Sequence, residues 1–367
     1  MEEAQPKTSL RVCFFGNYDP RYIRTVVVLT GLRENNVNVI ECNDERRNLR
    51  GYLAITKKLI SLHNRYDILI VGNETFSRSY VLLAKLLTRK VVVWDAHHSL
   101  YDTWAYDRML ISKWSLKGGY HWFMDWLATF CADLIYLDTR IHADYFAELF
   151  YADKKKFFYS LVGADDKMFR PQSGQNHPDD KFIVEFHGKF IPLQGIEFIV
   201  EAAKLLEDDS EIIFKIIGNG QTYRMVLEKA QQLKVTNITF IDKVPYQEIP
   251  NLIHEADVCL GIFGKTPKTQ RVIPNKLYEA VAMGKPVITA RTPAIAGVFT
   301  DRVNMLFCEV ANAEDLAEKI RELKNNPALT KMIGRNVYEL YQAKLTPRII
   351  GQDLCKVLLN AVEAEKK

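Results

Sequence analysis

Short runs packed with Val, Ile and Leu alternate with longer amphipathic stretches along most of this chain, and the alternation restarts near the middle. In the first half the runs are LRVCFF (10–15), VNVIE (37–41), DILIVG (67–72), KVVVWD (90–95) and DLIYL (133–137). In the second they are KFIVEFHG (181–188), EIIFKIIG (211–218), NITFID (237–242), DVCLGIF (257–263) and PVITA (286–290). The runs show little polar–apolar alternation, the mark of strands covered on both faces, as in parallel sheets. Between them lie stretches with helical spacing, such as YIRTVVVLTGLREN and YVLLAKLLT, then 195–206, 222–233, 246–255 and 276–283. Residues 313–325, 327–343 and 347–365 also read as helical. This pattern predicts an α/β chain with two doubly wound parallel sheets. A chain of 367 residues is long enough for two such domains. The polar, turn-rich RPQSGQNHPDD (170–180) sets the expected boundary. The N-terminal domain is then 1–170 and the C-terminal domain 171–345. Residues 346–367 are expected to form a helix that packs back on the N-terminal domain.

Composition narrows the function classes. Hydrophobic residues make up 48% and charged residues 26%, the balance of a soluble globular protein. The net charge of +4 is small and its excess sits in the first half. No strongly basic stripe is visible, so nucleic acid is not an expected partner. The six cysteines have no C-x-x-C spacing and suggest neither a zinc site nor a disulfide framework. The opening MEEAQPKTSL does not read as a signal peptide, and no run approaches the roughly 20 apolar residues of a membrane helix. A cytoplasmic location is the expectation. All five tryptophans fall within 94–126, beside Arg108, Lys113 and Lys117. That mixture suits peripheral contact with the inner face of a membrane through 104–126. It equally suits a helix pair whose aromatics pack into the core.

Three segments carry candidate chemistry. The loop after the strand at 181–187 begins His187-Gly188-Lys189 and runs to Gln194-Gly195. Gly188 allows close backbone approach to a ligand, and Lys189 can neutralise a phosphate. Ile217-Gly218-Asn219-Gly220 closes the next strand at its carboxyl end, where α/β proteins bind ligands. Arg271 to Lys276 (RVIPNK) leads into a helix with Glu279 about one turn in and Gly284 at its end. A helix N-terminus suits a diphosphate, and a carboxylate one turn inside can accept two hydrogen bonds from a ribose diol. A solvated amphipathic helix would explain the Lys276–Glu279 spacing as well.

Taken as a set, these segments resemble glycosyltransferase family 4, the group 1 type of the GT-B fold. The resemblance covers most of 181–340 and includes Glu255-Ala256-Asp257 and Pro274 to Thr289. The stretch from Leu161 to Pro171 is similar to the family's interdomain junction. The resemblance implies two Rossmann-like domains facing a central cleft, with a nucleotide-diphosphate sugar held mainly by the C-terminal one. It places Lys189 on the donor diphosphate as a catalytic group and Glu279 on the ribose hydroxyls. Asn275 and Lys276 border the sugar and phosphates, Val244 and Pro245 line the base pocket, and Gly188, Gly218 and Asn219 complete the donor loops. In the first half, Gly16 in Phe15-Gly16-Asn17-Tyr18 would approach the reaction centre. Trp94-Asp95-Ala96-His97-His98-Ser99 would bring a catalytic histidine to the transferred sugar, with His97 preferred over His98. The implied reaction is transfer of a hexose-type sugar, such as that of a UDP-sugar, to a hydroxyl acceptor, lipid-linked acceptors included. Polysaccharide biosynthesis is the implied setting. Transfer would retain the anomeric configuration and need neither metal nor cofactor.

Two positions depart from the pattern. Arg271 stands where the family has the first of two glutamates, and Gln194 stands where a diphosphate-binding lysine is usual. Arg271, Lys276 or Lys265 would then have to supply the missing cation, as a subfamily with the RVIPNK form would do. The departures leave open a non-catalytic nucleotide-sugar binder or scaffold of the same fold. A GT-B sugar-nucleotide epimerase lacks its carboxylate-rich centre here. An NAD-type dehydrogenase would need a G-x-G-x-x-G after the first strand, and none is there.

Overall fold

The computed structural model describes residues 10–46, 48–72, 77–97, 99–173 and 181–366. It divides into two units, one made of Met1–Gly163 with Thr346–Lys367, the other of Ala164–Leu345.

The first unit holds β1 (Arg11–Gly16), α1 (Ile23–Glu34), β2 (Asn38–Asn43), α2 (Leu49–Ser61), β3 (Ile68–Val71) and α3 (Ser77–Leu87). It continues through β4 (Val92–Asp95), α4 (Leu116–Cys131), β5 (Leu134–Leu137), α5 (Arg140–Leu149) and β6 (Phe157–Tyr159). The six strands form one parallel sheet in the order β2-β1-β3-β4-β5-β6. Strands β3 and β4 are buried at every position, which is why their sequences run apolar without alternation.

The second unit runs β7 (Phe182–His187), α6 (Ile196–Leu205), β8 (Ile212–Ile217), α7 (Tyr223–Gln232), β9 (Ile238–Ile241), α8 (Ile249–Glu255) and β10 (Val258–Leu260). After these come α9 (Asn275–Ala282), β11 (Val287–Ala290), α10 (Pro293–Ala296), β12 (Leu306–Cys308), α11 (Ala313–Asn325) and α12 (Pro327–Lys344). Its parallel sheet has the order β12-β11-β10-β7-β8-β9. Counted from β7 as first, that is the doubly wound order 3-2-1-4-5-6. The order reverses between β7 and β10, the switch point at whose carboxyl edge doubly wound sheets bind ligands; the segments that follow the two strands meet there, Phe263 N donating to the Gln194 carbonyl at 3.0 Å and Gly264 N to the Leu193 carbonyl at 3.2 Å.

Helix α13 (Pro347–Glu365) returns to the first unit and crosses α1. The crossing is backbone to backbone at two glycines: a Cβ on Gly31 would lie 2.2 Å from the Pro347 carbonyl oxygen, and one on Gly351 would lie 2.2 Å from the Gly31 carbonyl carbon. Asn35 Nδ2 donates to the Arg348 carbonyl at 2.8 Å and ties the end of α1 to the start of α13.

The division falls after Gly163, earlier than the polar run at 170–180 suggested. Phe169 is fully buried beside Tyr246, with ring centroids 5.6 Å apart, and the Tyr341 hydroxyl donates to the Ala164 carbonyl at 3.1 Å. These contacts hold the junction in the second unit. Residues 174–180 of the polar run lie outside the described residues.

Candidate functional site

Strand β7 carries two charged residues among apolar ones, Glu185 and His187. Two residues apart on a strand, they project from the same side of the sheet. Both are buried, so each needs a partner. The ring supplies one for both ends: His187 Nδ1 lies 2.8 Å from Glu185 Oε1, and His187 Nε2 lies 2.7 Å from Glu279 Oε2. Glu279 sits in the second turn of α9, and its other oxygen accepts the Tyr246 hydroxyl at 2.7 Å. Burial would push the His187 imidazolium down. The Glu185 charge and the hydrogen bonds to both carboxylates outweigh that and raise its pKa to about 9. At neutral pH the ring is a cation donating both N–H groups.

Lys276, one turn before Glu279 on α9, is buried at 6% exposure. Its Nζ donates to Gln194 Oε1 at 2.6 Å and sits 3.4 Å from the centroid of the Phe186 ring. Burial lowers its pKa well below the usual lysine value, against the opposing charges of Glu185 and Glu279. An ammonium has three N–H donors. Among the described residues, Gln194 Oε1 is the one hydrogen-bond acceptor it meets.

Gly188 is what admits this lysine. Its φ of +150° is one that side chains rarely adopt, and a Cβ there would lie 2.9 Å from Lys276 Nζ. Gly218 has a different task. A Cβ on it would lie 2.0 Å from the Gly188 carbonyl oxygen, so this glycine lets the two loops touch by their backbones. Asn219 continues that brace, its carbonyl accepting from Phe190 N at 3.0 Å and its Nδ2 donating to Asp242 Oδ1 at 3.2 Å.

The remaining residues singled out in this unit lie on the same carboxyl edge or next to it. Lys189 follows Gly188 and is exposed. Asn275 opens α9, where Pro274 provides no side-chain cap for the first-turn amides. Arg271 is buried at the end of the short helical turn Pro267–Gln270. Val244 and Pro245 immediately precede Tyr246, which reaches Glu279. The unit thus brings Gly188, Lys276 and Glu279 together, and adds Glu185, His187, Gln194 and Tyr246.

Gly16 and His97 belong to the first unit, Gly16 as the last residue of β1 and His97 two residues after β4. His97 N donates to Asp95 Oδ1 at 3.4 Å. Asp95 forms a buried ion pair with Arg24 at 2.8 Å, and Arg24 lies over the Tyr136 ring at 4.7 Å. Behind this pair Asp138 meets His142 Nδ1 at 2.6 Å. Burial would raise the Asp138 carboxyl. The charge and hydrogen bond of His142, with the charges of His97 and Arg24, hold it well below the usual carboxylate range. His98 lies outside the described residues. No group of three or more His, Cys, Asp or Glu among the described residues is placed to hold a metal ion.

Comparison with known proteins agrees with this architecture. Residues 169–340 match the family model "Glycosyl transferases group 1". A relative named as an uncharacterized glycosyltransferase, MJ1178 of Methanocaldococcus jannaschii, is 28% identical over 151 residues, which is 41% of this chain and 40% of the relative. A D-inositol 3-phosphate glycosyltransferase of Saccharomonospora viridis is 24% identical over 225 residues, 57% of this chain and 51% of its own length. The chain thus spans about half or less of the curated relatives it matches. Among solved structures, Anabaena HepE in complex with UDP and glucose aligns over 95% of this chain and 98% of its own, with a TM-score of 0.69 and 15% identity. Sucrose-phosphate synthase from Thermosynechococcus elongatus aligns over 97% and 100%, with a TM-score of 0.73 and 14% identity. Residues 169–340 therefore match the group 1 glycosyl transferases, and the chain has the GT-B fold of glycosyltransferases of known structure.

Proposed function

We propose that this chain is a glycosyltransferase that binds a nucleotide-diphosphate sugar at Lys276 and the Gly188 loop and passes the sugar to a hydroxyl acceptor. The observation that carries the proposal is Lys276 Nζ, buried at the carboxyl edge of β7 with Gln194 Oε1 as its one hydrogen-bond acceptor among the described residues. A buried ammonium in that state favours an anion that supplies the missing oxygens and the balancing charge. Its position also answers the departure at Gln194. The usual lysine is absent from that loop, and α9 supplies an ammonium that Gln194 holds in its place, so the RVIPNK form keeps the cation and changes the element that delivers it. The match to group 1 glycosyl transferases supplies the reaction class, and HepE in complex with UDP and glucose supports a UDP-sugar among the donors to test first.

In this reading Lys276, Lys189 and the first-turn amides of α9 stabilise charge as the diphosphate departs. Glu279 keeps lone pairs for the ribose hydroxyls while His187 and Tyr246 fix its orientation. His97 of the first unit is the catalytic histidine in this reading. Transfer retains the anomeric configuration and proceeds without metal. Arg271, in place of a glutamate, favours a second reading in which the chain binds the donor without turning it over.

The test is nucleotide release by the purified full chain with UDP-, GDP- and ADP-sugars, acceptors and chelator. Chelator-resistant release of one nucleotide, lost in Lys276→Met and Glu279→Gln, would support the enzyme, and the anomeric configuration of the product tests retention. Donor binding without release would favour the second reading. Absence of binding to any donor would refute both.

A further inference from the structure

The second unit has a cavity at the edge of its sheet opposite the candidate donor site. Phe182 opens β7, and Asp257 and Pro286 immediately precede β10 and β11. All three line a cavity of about 470 Å³ at the amino ends of these parallel strands. Helix α12 forms another wall: Pro327, Thr330, Lys331, Gly334 and Arg335 recur at helical spacing and share one face. The turn that ends α9, Met283-Gly284-Lys285, closes it from a third side. Gly334 lets α12 come this close, since a Cβ on it would lie 2.7 Å from the Gly284 carbonyl oxygen. The volume suits a ligand of small-metabolite size.

The charges lining the cavity are unbalanced. Lys285 is 9% exposed, and its Nζ donates to the His254 and Ala256 carbonyls at 2.7 Å each. Among the described residues no carboxylate forms an ion pair with it. Burial lowers its pKa, so an anion beside it would both accept a hydrogen bond and restore the charge. Lys331 and Arg335 are exposed on the α12 wall, and Arg335 meets Glu339 at 3.8 Å, one turn further along the helix. Lys324 is a different case, already paired with Asp209 and Glu211. Asp257, the one carboxylate among the lining residues, accepts Ile183 N at 2.7 Å.

We propose that this cavity binds a small phosphorylated molecule. The phosphate meets Lys285 from one wall and Lys331 and Arg335 from the other, and the body of the ligand lies against Phe182, Met283 and Pro286. Three cationic groups on two walls suit a dianion with three terminal oxygens better than a carboxylate with one charge and two. The site is separate from the one that holds Lys276. Lys276 lies in the first turn of α9 and Gly284 just past its last, about 12 Å apart along the axis. Nothing in this assignment depends on the transferase reaction.

Titration calorimetry of the full chain with ribose 5-phosphate, ribose and ribonate tests it. The expected result is binding of ribose 5-phosphate, weaker binding of ribonate and none of ribose. Lys331→Gln with Arg335→Gln should weaken ribose 5-phosphate binding about fivefold or more, with unchanged thermal unfolding because both side chains are exposed. Lys285→Met should abolish it, and Lys276→Met should leave it unchanged. Absence of binding to the wild type overturns the proposal, as does wild-type affinity in the Lys331→Gln, Arg335→Gln variant. Binding lost in Lys276→Met would assign the phosphate to the donor site and overturn it too. Ribonate or ribose binding as tightly as ribose 5-phosphate would overturn the choice of ligand.

Discussion

Replacing Lys276 by methionine should separate stability from binding. Methionine keeps most of the lysine's volume and leaves a thioether beside the Phe186 ring, a contact worth roughly 0.3–1.5 kcal/mol. The change removes an ammonium whose charged form burial disfavours, which favours the folded state. Against this stands the loss of a donor to Gln194 Oε1, which is itself buried, at roughly 1–3 kcal/mol. The opposing terms are of similar size, so the unliganded variant should unfold within about 2 kcal/mol of wild type in urea. Donor binding should respond very differently. One hydrogen bond from a cation to a phosphate contributes about 1.5–3 kcal/mol, so affinity measured by titration calorimetry with the nucleoside diphosphate should fall about 10- to 150-fold. An affinity within threefold of wild type would refute the placement of the diphosphate at Lys276. A large loss of stability would refute the claim that this ammonium is under-coordinated without a ligand.

Three further outcomes follow from the same cluster. Anion binding should draw Lys276 back toward its usual pKa, so binding at a pH between its free and liganded pKa should take up protons, seen as heats that vary with buffer ionisation enthalpy; heats that vary equally in Lys276→Met would contradict this. His187 has a folded pKa raised to about 9 from 6.5, so its contribution of about 3 kcal/mol is fully present below pH 6.5 and lost as pH rises through 9. Thermal unfolding from pH 6 to 10 should show that decline in the wild type and a flatter profile in His187→Gln. Gly188→Ala places a Cβ 2.9 Å from Lys276 Nζ at a φ of +150°, and should cost about 1–3 kcal/mol in urea unfolding together with donor affinity; wild-type values for both would remove Gly188 from the site.

The long apolar runs made most of both sheets legible, because strands buried on two faces must be apolar at successive positions. Strands β6 and β12 were not legible: three residues carry no period, and Phe157–Tyr159 is a half-exposed edge. In the site, Gly188, Lys276 and Glu279 stood out by residue type and position. Glu185 and His187 were missed, although the signal was present: two ionisable residues with strand spacing inside FIVEFH cannot be buried without partners. Tyr246 and the Gln194–Lys276 bond had no comparable signal. Each joins segments far apart in sequence, and only the strand order brings them within reach. The π-helical segment Asp102–Asp107 also escaped the sequence, and for 104–126 the sequence left a surface and a core reading open, since tryptophan spacing alone does not distinguish the two.

The glycine crossing of α1 and α13 has a consequence for biosynthesis. Residues 164–345 form their unit from one unbroken stretch of chain, whereas the unit begun first stays incomplete until residues 347–365 have left the ribosome. Until then the groove over Gly31 on α1 has nothing to cover it. The order of synthesis and the order of completion are therefore reversed: the later unit can finish folding while the earlier one still waits for its last helix.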